Sequence, residues 1–135
     1  MMKLYFTRNY NPRLAVAVAR HLQTPVDFEF AALFDPKHIR HFTRLNPNQR
    51  APILVEENRV TWEADAIACR LSQLIQSNFW PMNQDMPELI RWLSWAYWNF
   101  MRACDLVHFE RGTKQRYGLG PIDQSRVDEG LAPAL

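Results

Sequence analysis

The chain has 135 residues, 16 Lys and Arg against 14 Asp and Glu, a net charge of +2 and a mean hydropathy of −0.35. That length can bury one respectable core, as one domain or as one domain with part of a second, and so even a charge balance leaves no electrostatic footprint for nucleic acid. The most aromatic stretch, Trp92 to Phe109, is interrupted by Arg102 and Asp105 and is too polar to span a bilayer, and the N-terminus lacks the layout of a signal peptide.

Residues 1 to 79 alternate short strand-like runs with helical patterns. KLYFT (3–7) predicts a strand. Asn11 and Pro12 predict a helix start, with Asn as N-cap and Pro at the first helical position, where its missing N–H is an orphan anyway. Leu14, Val18 and Leu22 then give that helix one apolar face. VDFEF (26–30) alternates apolar and acidic residues and predicts a half-buried strand. Ile39, Phe42 and Leu45 predict a short helix ended by Asn46 and Pro47. ILVE (53–56) and RVT (59–61) predict a hairpin turning at Glu57-Asn58. Ile67, Leu71, Leu74 and Ile75 predict another amphipathic helix, so the order is β-α-β-α-β-β-α.

From residue 80 the texture becomes helical. WPMNQDMP (80–87) is a Pro-bounded linker, followed by a stripe of Leu89, Trp92, Leu93, Ala96, Phe100, Ala103 and Val107. Trp95, Trp98 and Phe109 lie largely off that stripe, so this helix needs cover on more than one side. GLGP (118–121) breaks it, and Asp123 is placed to cap a last helix running to the end. The domains are therefore drawn at 1–79 and 80–135.

Cys69 and Cys104 stand far apart with no CxxC. That predicts two separate buried thiols in a reducing compartment, by default the cytoplasm, and argues against dithiol redox chemistry. His38 and His41 have a spacing that can hold a metal, but nothing obvious joins them, so they read as surface histidines and no metal is expected.

Two segments carry a family likeness. LNPNQRAPIL (45–54) is similar to an Asn-Pro-x-x-Lys/Arg-x-Pro-x-Leu stretch, and TWEADAI (61–67) to a Glu-Ser-x-Ala-Ile stretch. Both belong to the glutathione transferase superfamily, which the chain resembles over almost its whole length. The resemblance implies an α/β fold, a thioredoxin-like β-α-β-α-β-β-α domain followed by a partial all-helical domain. Family members continue through several more helices, so the helical part is shortened here. It also implies that glutathione is bound as substrate and that its thiolate attacks a small electrophile.

By the same resemblance Ala51-Pro52 is a cis bond beside which the glutathione cysteinyl backbone pairs with Ala51 as an added strand. Arg50 offers a forked donor to the glycyl carboxylate. The γ-glutamyl carboxylate lies at the N-terminus of the helix starting near Ala64, and Glu63 pairs with the γ-glutamyl ammonium. The family's Ser is replaced by Ala64, which removes one side-chain hydrogen bond worth about 0.5–1.5 kcal/mol. The family places Tyr, Ser or Cys beside the sulfur, whereas RNYNP (8–12) offers Asn11, with Asn9 and Tyr10 as the other candidates.

Each of these residues has a plainer reading. Pro52 can simply start an edge strand, and Arg50 can be a solvated loop charge. Glu63 suits any helix N-terminus, and Asn11 suits a plain cap. The competing class is an inactive binding or protein-interaction module of the same fold, and the missing Ser and the short helical half favour it. The resemblance and the aromatic helix together predict a homodimer through residues 88–111.

Overall fold

The computed structural model describes residues 2–33 and 35–132. The first elements are β1 (Met2–Phe6), α1 (Tyr10–His21), β2 (Val26–Phe30), α2 (Pro36–Leu45), β3 (Ile53–Val55), β4 (Val60–Trp62) and α3 (Ala64–Leu74). The strands form one sheet in the order β2-β1-β3-β4, with β2 parallel to β1 and both other pairings antiparallel. This is a thioredoxin-like α/β domain, in the element order that the sequence predicts.

Strand alternation divides the core between the two sheet faces. Leu4 and Leu54 point to one face, where they pack with Ala15, Val18 and Ala19 of α1 and Ile67, Ala68 and Leu71 of α3. Tyr5 and Ile53 point to the other and meet Phe42 of α2 and Ala31. Small residues on α1 and α3 let the two helices sit close together on one face.

The helix start on α1 differs from the expectation. Asn9, not Asn11, is the N-cap; Tyr10 and Asn11 are already helical and Pro12 is the third helical residue. The first four N–H groups of a helix have no partner within it, so Pro is tolerated anywhere in that turn and does not fix the start. The buried residues are Pro12, Ala15, Val18 and Ala19, and Leu14 is 44% exposed. On β2 only Val26 is half-buried and Asp27 to Phe30 are exposed, because β2 is an edge strand. Its Phe28 and Phe30 rings are covered in part by the guanidinium groups of Arg20 and Arg8.

The chain divides into two compact units, Met1–Met82 and Asn83–Leu135. The second is dominated by one long helical stretch: α4 (Met86–Trp95), a π-helical segment at Ala96–Met101, α5 (Arg102–His108), a second π segment at Phe109–Thr113, and α6 (Lys114–Tyr117). The junction residues keep right-handed helical dihedrals throughout, and Gly118, left-handed at φ +62°, ends the run. Wider turns shift the face that later residues present. Leu89, Leu93, Ala96, Ala103 and Val107 of the predicted stripe are half-buried, but Trp92 and Phe100 are exposed. The Asn99 amide donates to the Trp95 carbonyl at 2.9 Å, which satisfies a carbonyl at the entry to the first π segment.

Asp123 caps α7 (Gln124–Leu131) by accepting from the Ser125 and Arg126 N–H groups. The predicted continuation of that helix into residues 133–135 lies outside the described residues. Gly130 seats α7 against α5: a Cβ there would stand 2.7 Å from the Ala103 carbonyl oxygen and 2.8 Å from a Val107 methyl. Fully buried Glu110 ties the turn together, contacting Lys114 Nζ at 2.5 Å and accepting from the Asp123 N–H at 2.8 Å. Among the described residues no helix is long and apolar enough to cross a membrane.

Candidate functional site

Strand register gathers the predicted site residues at one end of the sheet. Tyr5 pairs with Ile53, and Ile53 with Trp62. The exit of β1, the entry to β3 and the exit of β4 therefore lie side by side. From the first hang Asn9, Tyr10 and Asn11, from the second Arg50, Ala51 and Pro52, and from the third Glu63 and Ala64. Strand carboxyl ends are where open α/β sheets hold their ligands.

The loop entering β3 is held by a residue that the sequence offers as a helix terminator and as the first Asn of the Asn-Pro stretch. Asn46 is 1% exposed; its amide donates to the Arg50 carbonyl at 2.8 Å, and its side-chain oxygen accepts from the Asn48 N–H at 3.0 Å. Its place at the head of an Asn-Pro turn was the available signal. The clamp leaves the Arg50 side chain exposed, with no partner for its guanidinium among the described residues. The Ala51-Pro52 bond is cis and Pro52 is buried. Ala51 precedes the paired stretch of β3, so its N–H and C=O lie outside the ladder.

Across the end of the sheet, Glu63 is the N-cap of α3 at φ 73° and ψ 133°, outside the regions that suit a residue with a side chain. Holding it there costs on the order of 1–3 kcal/mol, and such strain concentrates at ligand clamps. Its side chain is exposed and makes no cap hydrogen bond. The first bond of the helix runs from the Ile67 N–H to the Glu63 carbonyl, so the N–H groups of Ala64, Asp65 and Ala66 precede the helical ladder. N–H groups that precede the ladder at a helix start favour an anion in general.

Ala64 is buried. Asp65, the next residue, is half-buried; burial first, and the charge of Glu63 second, push its carboxyl above the usual carboxylate range. Sequence reading passed over Asp65, although an acid in the variable position of the Glu-Ser-x-Ala-Ile stretch was visible. Trp62, exposed immediately before Glu63, was passed over likewise.

At the start of α1, the Asn9 N–H approaches the Thr7 hydroxyl at 3.5 Å and its side chain makes no cap bond. Asn11 is half-buried in the first turn. Both cysteines are free thiols and half-buried, not buried as expected, and burial pushes the Cys69 thiol up. Cys69 lies beside the buried stripe of α3 instead of in it. His38 is exposed and pairs with Asp35 at 3.1 Å. Among the described residues no group of three or more His, Cys, Asp or Glu side chains could hold a metal ion.

The opposite end of the sheet carries a different kind of charge pair. Arg70 of α3 donates twice to Glu56, just beyond β3, at 2.7 and 3.0 Å. That pair uses two of the five guanidinium N–H donors and ties α3 to the end of β3.

Comparison with known proteins agrees with this architecture. Residues 1–73 match the family described as Glutathione S-transferase, N-terminal domain. The chain belongs to that family. Among solved structures it is similar to human glutathione-S-transferase T1-1 in its apo form, with a TM-score of 0.82 at 19% identity, over 98% of this chain and 57% of that one. The theta class glutathione S-transferase from Xanthomonas axonopodis pv. citri, with glutathione bound, gives a TM-score of 0.78 at 22% identity over 96% and 63%. Glutathione S-transferase-I bound with the ligand lactoylglutathione gives 0.78 at 18% over 96% and 64%. The chain thus spans less than two thirds of the length of these structures. No curated protein sequence matches it.

Proposed function

We propose that the chain binds glutathione and, as part of a glutathione transferase, presents its thiolate to a small electrophile. The observation that carries this reading is the strand register, which sets Arg50, Ala51 and Pro52 against Glu63 and Ala64 at one end of the sheet. Arg50 receives the glycyl carboxylate, Ala51 pairs with the cysteinyl backbone, and the free N–H groups at Ala64 receive the γ-glutamyl carboxylate beside Glu63. Asn11, Tyr10 or Asn9 then donates to the sulfur, and a donor there favours the thiolate of a group whose ordinary pKa is about 8.5. Two of the solved structures named above hold glutathione or a glutathione derivative.

On this reading residues 1–79 are the ligand-binding domain and 80–135 a partial helical domain. The free thiols suit the cytoplasm, where glutathione is reduced. The exposed Trp92, Trp95, Tyr97, Trp98 and Phe100 support a homodimer through the helix near residues 88–111. Exposed aromatic residues gathered on one helix are a common mark of a protein contact surface.

One observation favours a second reading, an inactive binding or interaction module: Ala64 stands where the family has Ser, and Arg8 to Pro12 contain no Ser or Cys. Glutathione titrated against melting temperature separates the two. A ligand of the native state at about 100 times its dissociation constant adds roughly 2.7 kcal/mol. No shift at millimolar glutathione favours the module. Where a shift appears, conjugation of an aromatic electrophile by the Asn9→Ala, Tyr10→Ala and Asn11→Ala variants identifies the donor by the largest loss.

A further inference from the structure

Helix α2 carries its charge against its own stability. Lys37, Arg40 and Arg44 stand at i, i+3 and i+7, a spacing that puts them on one helical face, away from buried Phe42. All three are exposed, and their side chains have no partner among the described residues. Elsewhere in the first unit Lys3 and Arg70 meet carboxylates, and Arg8 and Arg20 cover aromatic rings. Residues 36–50 hold four fixed cations and no Asp or Glu; the whole chain is +2, so +4 here leaves −2 for the rest. Asp35, the acid bordering the helix, is taken up by the Lys37 N–H and the His38 ring. Like charges three and four residues apart on a helix repel, and Lys37 lies in the first turn, where the dipole disfavours a cation. An ordinary solvated face intersperses acids with bases. This one has none.

We propose that this face of α2 docks an acidic helix of another protein, one that carries carboxylates at i, i+4 and i+7. The row spans about 10.5 Å of helix axis, at about 1.5 Å per residue. An antiparallel helix with that spacing meets Arg44, Arg40 and Lys37 in turn at the same rise. An extended segment presents alternate side chains about every 6.7 Å and drifts off the row within three of them. A nucleic-acid strand reaches beyond so short a row and meets the net negative charge of the rest of the chain. A lipid surface takes up a wide apolar face beside the charges, whereas Phe42 is buried and Ile39 is only 38% exposed. A second copy lacks the complement, because among the described residues no helix of this chain carries three acids so spaced. Each Arg fork matches a carboxylate, and pairing relieves the repulsion within the row.

The test titrates the whole chain with two helical peptides of identical composition, one with three Glu at i, i+4 and i+7 on a single face, the other with the same Glu spread around the helix. The facial peptide binds tighter by about fivefold or more, and its affinity falls with added salt. The double variant Arg40→Glu, Arg44→Glu weakens it by about tenfold or more, because like charges then face each other. The milder pair Arg40→Gln, Arg44→Gln also weakens it, and the melting temperature of the free protein stays the same or rises as repulsion is relieved. Equal binding of the two peptides, or undiminished binding to the reversed variant, would overturn the proposal. So would tighter binding of a single-stranded oligonucleotide or of phosphatidylserine vesicles than of the facial peptide. A lower melting temperature in the Gln pair would make these side chains structural and overturn it likewise.

Discussion

The two units of the chain are built on opposite economies of apolar surface. In the first, two clusters fill both faces of a four-stranded sheet, and the fully buried side chains are modest: Leu4, Ile53, Leu54, Ile67 and Leu71. In the second, Trp92, Trp95 and Trp98 stand on a single long helical stretch and stay exposed, while only Glu110 and Val127 are buried among its described residues. Hydrophobicity alone therefore does not say what is inside. A Leu on a strand between two helices is enclosed by its neighbours, whereas a Trp on an isolated helix is enclosed only by a partner. Stability of the first unit follows from its own sequence; stability of the second depends on contacts such as Gly130 and Glu110 at its helix ends.

The sharpest test of that contrast sets one residue from each unit side by side. Ile67→Ala, in the sealed cluster, should cost about 2–5 kcal/mol in chemical denaturation. Trp98→Ala, at a residue 67% exposed, should change the stability of dilute protein by no more than about 0.5 kcal/mol. Its effect belongs instead in light scattering, as dissociation of the proposed dimer at micromolar concentration. Comparable losses of stability from both substitutions in monomeric protein would abolish the distinction.

A smaller effect probes the seat of α7. Alanine is intrinsically better than glycine in a helix by about 1 kcal/mol. At Gly130 the added methyl would press on the Ala103 carbonyl and the Val107 side chain, and overpacking of that kind costs about 1–3 kcal/mol. Backbone at 2.7 Å cannot move aside as a flexible side chain would, so Gly130→Ala should be net destabilising, with loss of helical circular dichroism at lower temperature. A stabilised variant would show that α7 does not rest on α5.

The smallest expected effect lies at the far end of the sheet. Hydrogen bonding to Arg70 holds the Glu56 carboxyl below its ordinary range. A carboxylate whose folded pKa is lowered contributes stability that is complete above its unfolded value, near 4.5, and lost as the pH falls through its lower folded value. Arg70→Met should therefore cost about 1 kcal/mol at neutral pH. The difference from wild type should shrink in acid and vanish once Glu56 is protonated in both states. Glutathione affinity should not change. A pH-independent difference would assign the loss to packing of the Arg stem.

Much of the first unit was legible in the sequence because several signals agree: short apolar runs at β1 and β3, helical spacing at Ile67 and Leu71, and Pro and Asn at the element ends. Legibility failed where one pattern serves two structures. Asn9 and Asn11 are equally good caps, and Pro12 is welcome anywhere in the first turn. VDFEF alternates whether it lies inside a sheet or at its edge, and only the strand order shows that β2 is an edge. The stripe on the long helix assumed 3.6 residues per turn throughout, and two π segments break that count. The candidate site was legible as motifs, yet its working geometry was not. Nothing in the letters announces that Asn46 reaches the Arg50 carbonyl, or that Asp65 lacks a counter-charge.

The Asn46 clamp also has a kinetic consequence. Its two hydrogen bonds fix Asn48 and Arg50 before any ligand arrives, so the segment leading to Ala51 is already ordered. A ligand that docks there orders little chain on arrival and loses little conformational entropy in doing so. Association should then proceed at a rate set by diffusion and orientation, with no slow rearrangement following the first encounter. Loosening that single amide would appear as a slow second phase in stopped-flow binding traces before it appeared in equilibrium affinity.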